Sequence, residues 1–153
     1  MTGREEALDA ARGLSPTPKN LERLRARFGE VGPWAVTQWE LRRRAATKFS
    51  EAEHMLFQRE ALEMATHEAV AEWHAAHYPN GEAVVDLTAG IGGDLRALAE
   101  RGPALGFELD PELAAYARHN SGADVIVGDS LACAQGAKYV WADPGRRSGG
   151  ART

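Results

Sequence analysis

Cysteine is nearly missing from this sequence: Cys133 stands alone among 153 residues. One thiol cannot close a disulfide within the chain, which excludes a disulfide-stapled scaffold and favours a reducing compartment. Long apolar runs are missing as well. No stretch approaches the roughly 20 apolar residues that a membrane-spanning helix needs. The opening Met1-Thr2-Gly3-Arg4-Glu5-Glu6 is charged where a secretion signal would be apolar. The expectation is a soluble, cytoplasmic protein. An excess of positive charge is absent too: 18 Lys and Arg against 22 Asp and Glu leave a net charge of −4, so the whole chain does not read as a nucleic-acid binder. No segment of 20 to 50 residues recurs, which argues against a solenoid. What is present is ordinary globular usage, 44% hydrophobic and 26% charged residues, enough for a packed core.

The sequence changes character near Tyr78-Pro79-Asn80-Gly81, which suggests a helical region over 1–80 and an α/β region over 81–153. In the first part, Ser15, Thr17 and Pro18 form a helix start signal, with Leu21, Leu24 and Phe28 at helical spacing and Gly29 as a stop. Pro33 opens another helical stretch with Val36 and Trp39 near one face. Ser50 and Glu53 have capping-box spacing just before Met55-Leu56-Phe57. From about Arg59 to His77 the stripe Leu62, Ala65, Ala69, Trp73 predicts one long helix, ended by Pro79-Asn80-Gly81. After Gly81 the rhythm becomes strand, turn, helix. Strands are predicted over 83–87, 104–108, 124–127 and 138–142, and helices over 94–101 and from Pro111 to about His119. Such alternation predicts an α/β fold, a Rossmann-like parallel sheet with helices on its faces.

The strongest chemical signal is Val84-Val85-Asp86-Leu87-Thr88-Ala89-Gly90-Ile91-Gly92-Gly93-Asp94. An apolar strand ends in an acid, passes a glycine-rich turn and enters a helix. Glycines allow the tight turn and let a ligand approach backbone that carries no Cβ. Helix-start amides favour a carboxylate or phosphate. A dinucleotide fingerprint counted from Gly90 fails, because its last glycine position holds Leu95. Asp86 is placed to accept hydrogen bonds from an ammonium group. A pyrophosphate offers no such donor, whereas the methionine end of S-adenosylmethionine does.

Polar residues recur at the end of each later strand, along the crevice where open α/β sheets bind ligands. Glu108 and Asp110 follow the second strand, and an acid there can accept from both ribose hydroxyls; Asp110 can equally cap the helix that begins at Pro111. Asp129 and Ser130 follow the third strand, where a carboxylate can accept from the adenine amine. Asp143-Pro144-Gly145-Arg146-Arg147 follows the fourth, where the transferred methyl would emerge.

With these four elements in order, the segment from Val84 to Arg147 resembles the first half of the class I S-adenosylmethionine-dependent methyltransferases. Within them it is similar to the bacterial group that carries a THUMP-like domain, through Ala46-Thr47-Lys48-Phe49-Ser50, the run from Met55 to Glu63 and the Asp143-to-Arg147 ending. More distantly, the glycine loop is similar to that of RNA cap guanosine hypermethylases. The resemblance implies S-adenosylmethionine as cofactor, held by Asp86, Thr88, Ala89, Gly90, Gly92, Gly93, Glu108, Leu109, Asp129 and Ser130. Asp143 and Pro144 would be catalytic, Arg146 and Arg147 would bind substrate phosphate, and the acceptor would be RNA, a tRNA or rRNA. No metal is implied. Gly145 and Arg146 stand where methylases of exocyclic amines have a second proline and an aromatic, so the target atom stays open. Related domains have about seven strands. The expectation is therefore a shortened product, or a chain whose open fourth-strand edge is covered by missing C-terminal sequence or by a second copy. A rival reading makes the chain a non-catalytic cofactor- or RNA-binding module.

Other features read more plainly. Arg42-Arg43-Arg44, with Lys19, Arg23, Arg25 and Arg27, could face RNA with Trp34 or Trp39 stacking on a base. Interleaved Glu22, Glu30 and Glu40 favour a solvated face with the tryptophans in the core. His54, His67, His74, His77 and His119 lack metal-ligand companions and suit surface or interhelix positions, and Cys133 suits packing.

Overall fold

Thr2 and Glu5 open the chain with a reciprocal cap, the Thr2 hydroxyl accepting from the Glu5 amide and the Glu5 carboxylate from the Thr2 amide. The computed structural model describes residues 2–133 and 136–143, excepting the side chains of residues 132 and 133. Pro144, Arg146 and Arg147 lie outside the described residues, as does the Cys133 side chain. The chain divides into two compact units, Met1–Leu62 and Glu63–Thr153.

The first unit is helical: α1 (Gly3–Ala11), α2 (Pro18–Phe28), α3 (Val31–Ala45) and a 3-10 turn (Ala52–His54), with α4 (Arg59–Met64) beginning at its end. Thr17 caps α2 by accepting from the Asn20 amide, with Pro18 at the first helical position, and Gly29 closes it. Ala7, Ala11, Leu24, Ala35, Val36 and Trp39 form its core. The Trp39 indole N–H donates to the Leu8 carbonyl at 2.7 Å, and the ring is covered by Arg12 and Arg42. Trp39 is thus a core residue with its polar tip satisfied, and Trp34 packs against the same core.

The capping box expected at Ser50 and Glu53 does not start a helix. Ala52–His54 is a short 3-10 turn without a side-chain cap bond, and Met55 turns extended. Two buried polar side chains explain it. Gln38 donates to the Phe57 carbonyl and accepts from the Phe57 amide, both at 2.8 Å, while Arg42 Nε donates to the Met55 carbonyl at 2.8 Å. Backbone groups satisfied in this way need no helix, and Met55, Leu56 and Phe57 are buried in a non-helical segment.

In the second unit, α5 (Glu68–Ala75) is followed by β1 (Val84–Asp86), α6 (Gly93–Arg101), β2 (Ala104–Glu108), α7 (Pro111–Ser121), β3 (Asp124–Val127), α8 (Ser130–Cys133) and β4 (Tyr139–Trp141). The long helix expected over 59–77 is broken between α4 and α5, where the His67 ring accepts from the Ala69 amide as a fresh cap. The break resets the helical phase. Leu62 of the predicted stripe is buried on α4, but on α5 Ala71 and Ala75 are buried in place of Ala69 and Trp73, the latter 63% exposed.

The four strands are parallel in the order β3-β2-β1-β4. Register places Asp86 beside Gly106 and Trp141, and Glu108 beside Val127, so the strand ends share one edge of the sheet. Val84, Ala97 and Leu98 pack with Ala71 and Ala75 on one face, and Leu95, Ala114, Ala117 and Val125 pack on the other. Sequence reversal on either side of β1 creates the crevice at which α/β sheets bind ligands. Among the described residues no helix is long and apolar enough to cross a membrane.

Candidate functional site

The carboxyl edge of β1 begins with a completely buried acid. Asp86 Oδ1 accepts from the Thr88 amide at 2.9 Å and lies 3.4 Å from the Thr88 hydroxyl, while Oδ2 is buried without a hydrogen-bond partner among the described residues. Burial pushes its pKa up to about 7, the Thr88 amide opposes that shift, and the charges of Asp94 and Asp143 add to it. A carboxylate with a free buried oxygen is incomplete by the ordinary rules of polar burial.

Beyond Asp86 the chain turns over Gly90 (φ 56°) and Gly92 (φ 86°) into α6. The two glycines serve different ends. A Cβ on Gly92 would lie 2.9 Å from the Ala117 Cα and carbonyl oxygen, so this glycine lets α7 approach the loop. A Cβ on Gly90 would meet only the Thr88 carbonyl, at 4.0 Å. The space beside Gly90 is open, and its glycine is required by the left-handed backbone alone. The Gly90 amide donates to Glu108 Oε2 at 3.0 Å and the Gly92 amide to the Ala89 carbonyl at 2.7 Å, so these two donors are engaged within the protein. Their contribution toward a ligand is bare backbone surface.

Glu108 joins two loops, its Oε1 accepting from the Asp110 amide at 3.1 Å. An ionised carboxylate has about four acceptor positions, so room remains for hydroxyl donors. Asp110 caps α7 by accepting from the Glu112 and Leu113 amides. The neighbouring Leu109 is 62% exposed, and Ile126, Val127 and Leu131 are exposed as well. Asp129 is exposed and accepts from the Leu131 amide at 2.9 Å, with Ser130 beginning α8. At the far side, the Asp143 amide donates to the Thr88 hydroxyl at 2.8 Å and the Leu87 amide donates to the Trp141 carbonyl at 2.8 Å. The fold thus links Asp86, Thr88 and Asp143 by hydrogen bonds and charge, while Gly90 is bonded to Glu108 and Ala89 to the Phe107 and Gly92 backbones. Among the described residues no hydrogen bond or ion pair joins Asp129 or Ser130 to this group.

Sequence patterns missed three residues here. Asn120, buried on α7, donates to the Ile91 carbonyl at 2.8 Å and holds the glycine turn from behind. Asp94 and His74 form the other pair. Asp94 Oδ1 lies 3.6 Å from His74 Nδ1, and the His74 ring packs on the Trp141 indole with centroids 4.5 Å apart. Burial raises the Asp94 pKa, His74 lowers it, and the Asp143 charge raises it. Asp94 does close the glycine motif as a helix-start acid, which was the available signal. Nothing in linear spacing joins His74 to it. Among the described residues no cluster of His, Cys, Asp and Glu could hold a metal ion.

No family model matches the chain. Two proteins of Mycobacterium tuberculosis, from strains CDC 1551 and H37Rv, are each 41% identical to it over 141 aligned positions, covering 84% of this chain and 39% of theirs. Both carry the name uncharacterized S-adenosylmethionine-dependent methyltransferase. The chain therefore spans about 39% of the length of these relatives. A crystal structure from Porphyromonas gingivalis W83, assigned as a methyltransferase, superposes with a TM-score of 0.75 and 26% identity over 94% of this chain and 41% of that one. Together with the parallel strand order, this superposition shows the α/β fold of class I methyltransferases.

Proposed function

We propose that this chain forms the cofactor-binding part of an S-adenosylmethionine-dependent methyltransferase whose acceptor is RNA. The observation that carries the reading is the orphaned, buried Asp86 Oδ2 beside a turn whose glycine at position 90 leaves open space. The relatives' names and the methyltransferase fold support it.

The residues fit the cofactor's parts. Asp86 offers an acceptor to the methionine ammonium, and pairing with that cation favours its ionised form. Bare backbone at Gly90 admits the methionine chain. Glu108, oriented by the Gly90 and Asp110 amides, has acceptor capacity left for ribose hydroxyls. Leu109 offers exposed apolar surface next to it for the adenine face, and Asp129 and Ser130 stand after β3 for the base amine. When bound, the cofactor supplies an electrophilic methyl group on a sulfonium sulfur. Asp143, held to the Thr88 hydroxyl through its amide, stands at the edge where an acceptor would be oriented. The work of the protein is positioning, because alignment of the reacting atoms accounts for much of the barrier to such a displacement.

RNA as acceptor rests on Arg146 and Arg147 directly after Asp143-Pro144, where two guanidiniums suit a phosphate backbone. Exposed Arg43 and Arg44 on α3 add basic surface. Titration calorimetry with S-adenosylhomocysteine tests the cofactor site: binding is expected, with loss in Asp86→Ala. Transfer of labelled methyl groups to bulk cellular RNA, made sensitive to ribonuclease, tests the acceptor. Label retained after ribonuclease would remove RNA, and absence of cofactor binding would remove the whole reading.

A further inference from the structure

Along the chain the basic residues from Lys19 to Arg27 are interleaved with acids, but winding into α2 sorts them. Lys19, Arg23 and Arg27 are four residues apart, so they stand in one row, each step rising about 6 Å along the axis. All three are exposed, and among the described residues none of them has an ion pair. Arg27 lies over the Phe28 ring, 4.7 Å from its centroid, which limits its freedom without neutralising it. The acids fall elsewhere. Glu30 is paired at 3.1 Å with Arg25, which points away from the row, and Glu22 has only Lys19 of the row within one turn.

The chemistry of the row narrows what it meets. Two guanidiniums and an ammonium, with Asn20 and Ala26 beside them, offer charge and no apolar pocket. A lipid surface calls for an apolar helix face to insert, and that face of α2, formed by Leu21, Leu24 and Phe28, is packed into the helical core. Contact with a phosphate backbone needs only cations spaced along a line. The chain's acidic excess does not oppose it, because residues 1–62 hold more Lys and Arg than Asp and Glu, and the excess belongs to the second unit.

We propose that the row Lys19, Arg23, Arg27 on α2 is a phosphate-binding surface for the backbone of the RNA acceptor. This rests on the RNA reading above and deepens it by giving the helical unit a part in holding the strand. Such contacts set affinity and its salt dependence, and leave the choice of base to other residues.

Fluorescence anisotropy with a labelled RNA hairpin, repeated across a series of potassium chloride concentrations, tests the row. Arg23→Gln is expected to flatten the slope of log affinity against log salt by about one. The triple variant Lys19→Gln, Arg23→Gln, Arg27→Gln should flatten it by about two to three and bind about tenfold or more weakly at low salt. Arg25→Gln makes the same charge change as Arg23→Gln on the same helix, away from the row, and should stay within about twofold of the unmodified chain. Calorimetry with S-adenosylhomocysteine should give one affinity for all four proteins. Equal losses in Arg23→Gln and Arg25→Gln reduce the effect to net charge and overturn the proposal. A triple variant that binds the hairpin like the unmodified chain overturns it too, and RNA as acceptor survives both results. Tighter binding of poly-L-glutamate than of the hairpin assigns the row to an acidic protein and also overturns it. An unmodified chain that neither binds the hairpin nor methylates cellular RNA removes this proposal and the RNA reading together.

Discussion

The Glu108 carboxylate is bound to the Gly90 amide, Oε2 accepting at 3.0 Å, while its other oxygen accepts from Asp110. One side chain therefore locks the loop after β1 to the loop after β2. Glu108→Gln keeps the shape but turns an N–H donor toward one of two N–H donors. It is expected to act nearly as severely as Glu108→Ala, because a charge-assisted bond worth roughly 1.5–3 kcal/mol is replaced by a repulsive pairing. Amide hydrogen exchange at Gly90 and Asp110 should accelerate in both variants, and S-adenosylhomocysteine affinity should fall. Exchange at wild-type rates in Glu108→Gln would mean that the carboxylate does not hold these loops.

Gly90 and Gly92 are expected to separate stability from binding. Gly92→Ala forces a left-handed backbone and places a Cβ 2.9 Å from α7 backbone atoms. The two effects together should cost roughly 2–4 kcal/mol in urea denaturation. Gly90→Ala meets only the backbone effect, about 1–2 kcal/mol, but fills the open space next to the turn. It should retain a folded chain while cofactor affinity drops. If the two variants lose stability and affinity in the same proportion, the division of labour is wrong.

The buried Asp86 makes stability depend on pH in an unusual direction. An ordinary aspartate releases its proton near 3.8, whereas the folded chain holds this one until about pH 7. Between those values only the unfolded state has released the proton, so stability falls as pH rises and levels off above 7. Each pH unit in that window is worth about 1.4 kcal/mol at most. Asp94, also raised by burial, acts in the same direction. Thermal melts at pH 5 and pH 8 should show a smaller drop for Asp86→Asn than for the unmodified chain, although that variant should not bind cofactor. Parallel melting curves for the two proteins at both pH values would refute the assignment.

What the sequence revealed and what it hid follow from one distinction, between order along the chain and contact across it. Strands β2 and β3 occupy the predicted 104–108 and 124–127, because parallel strands read as apolar runs punctuated by turns, although only Val125 of β3 is buried. The glycine turn and its flanking acids were legible for the same reason: the chemistry is contiguous. Periodicity failed at residues 65–67, where a His67 cap restarts the helix and shifts the buried face to Ala71 and Ala75. It failed again at Ser50 and Glu53, because Gln38 and Arg42 satisfy backbone groups at Phe57 and Met55 from another helix. His74 and Asp94, like Asn120 and Ile91, are neighbours only after folding. Packing also settled the Trp39 alternative in favour of the core.

The bond between the Asp143 amide and the Thr88 hydroxyl spans 55 positions, and β1 gains its second neighbour only from residues 139–141. During synthesis the glycine turn is thus made long before its far wall exists. Loop closure over such a separation comes late in folding. A nascent chain halted before Tyr139 would expose Asp86 to water and lower its proton affinity. Competence to hold a sulfonium nucleoside should therefore arise only after the fourth strand has emerged from the ribosome and docked.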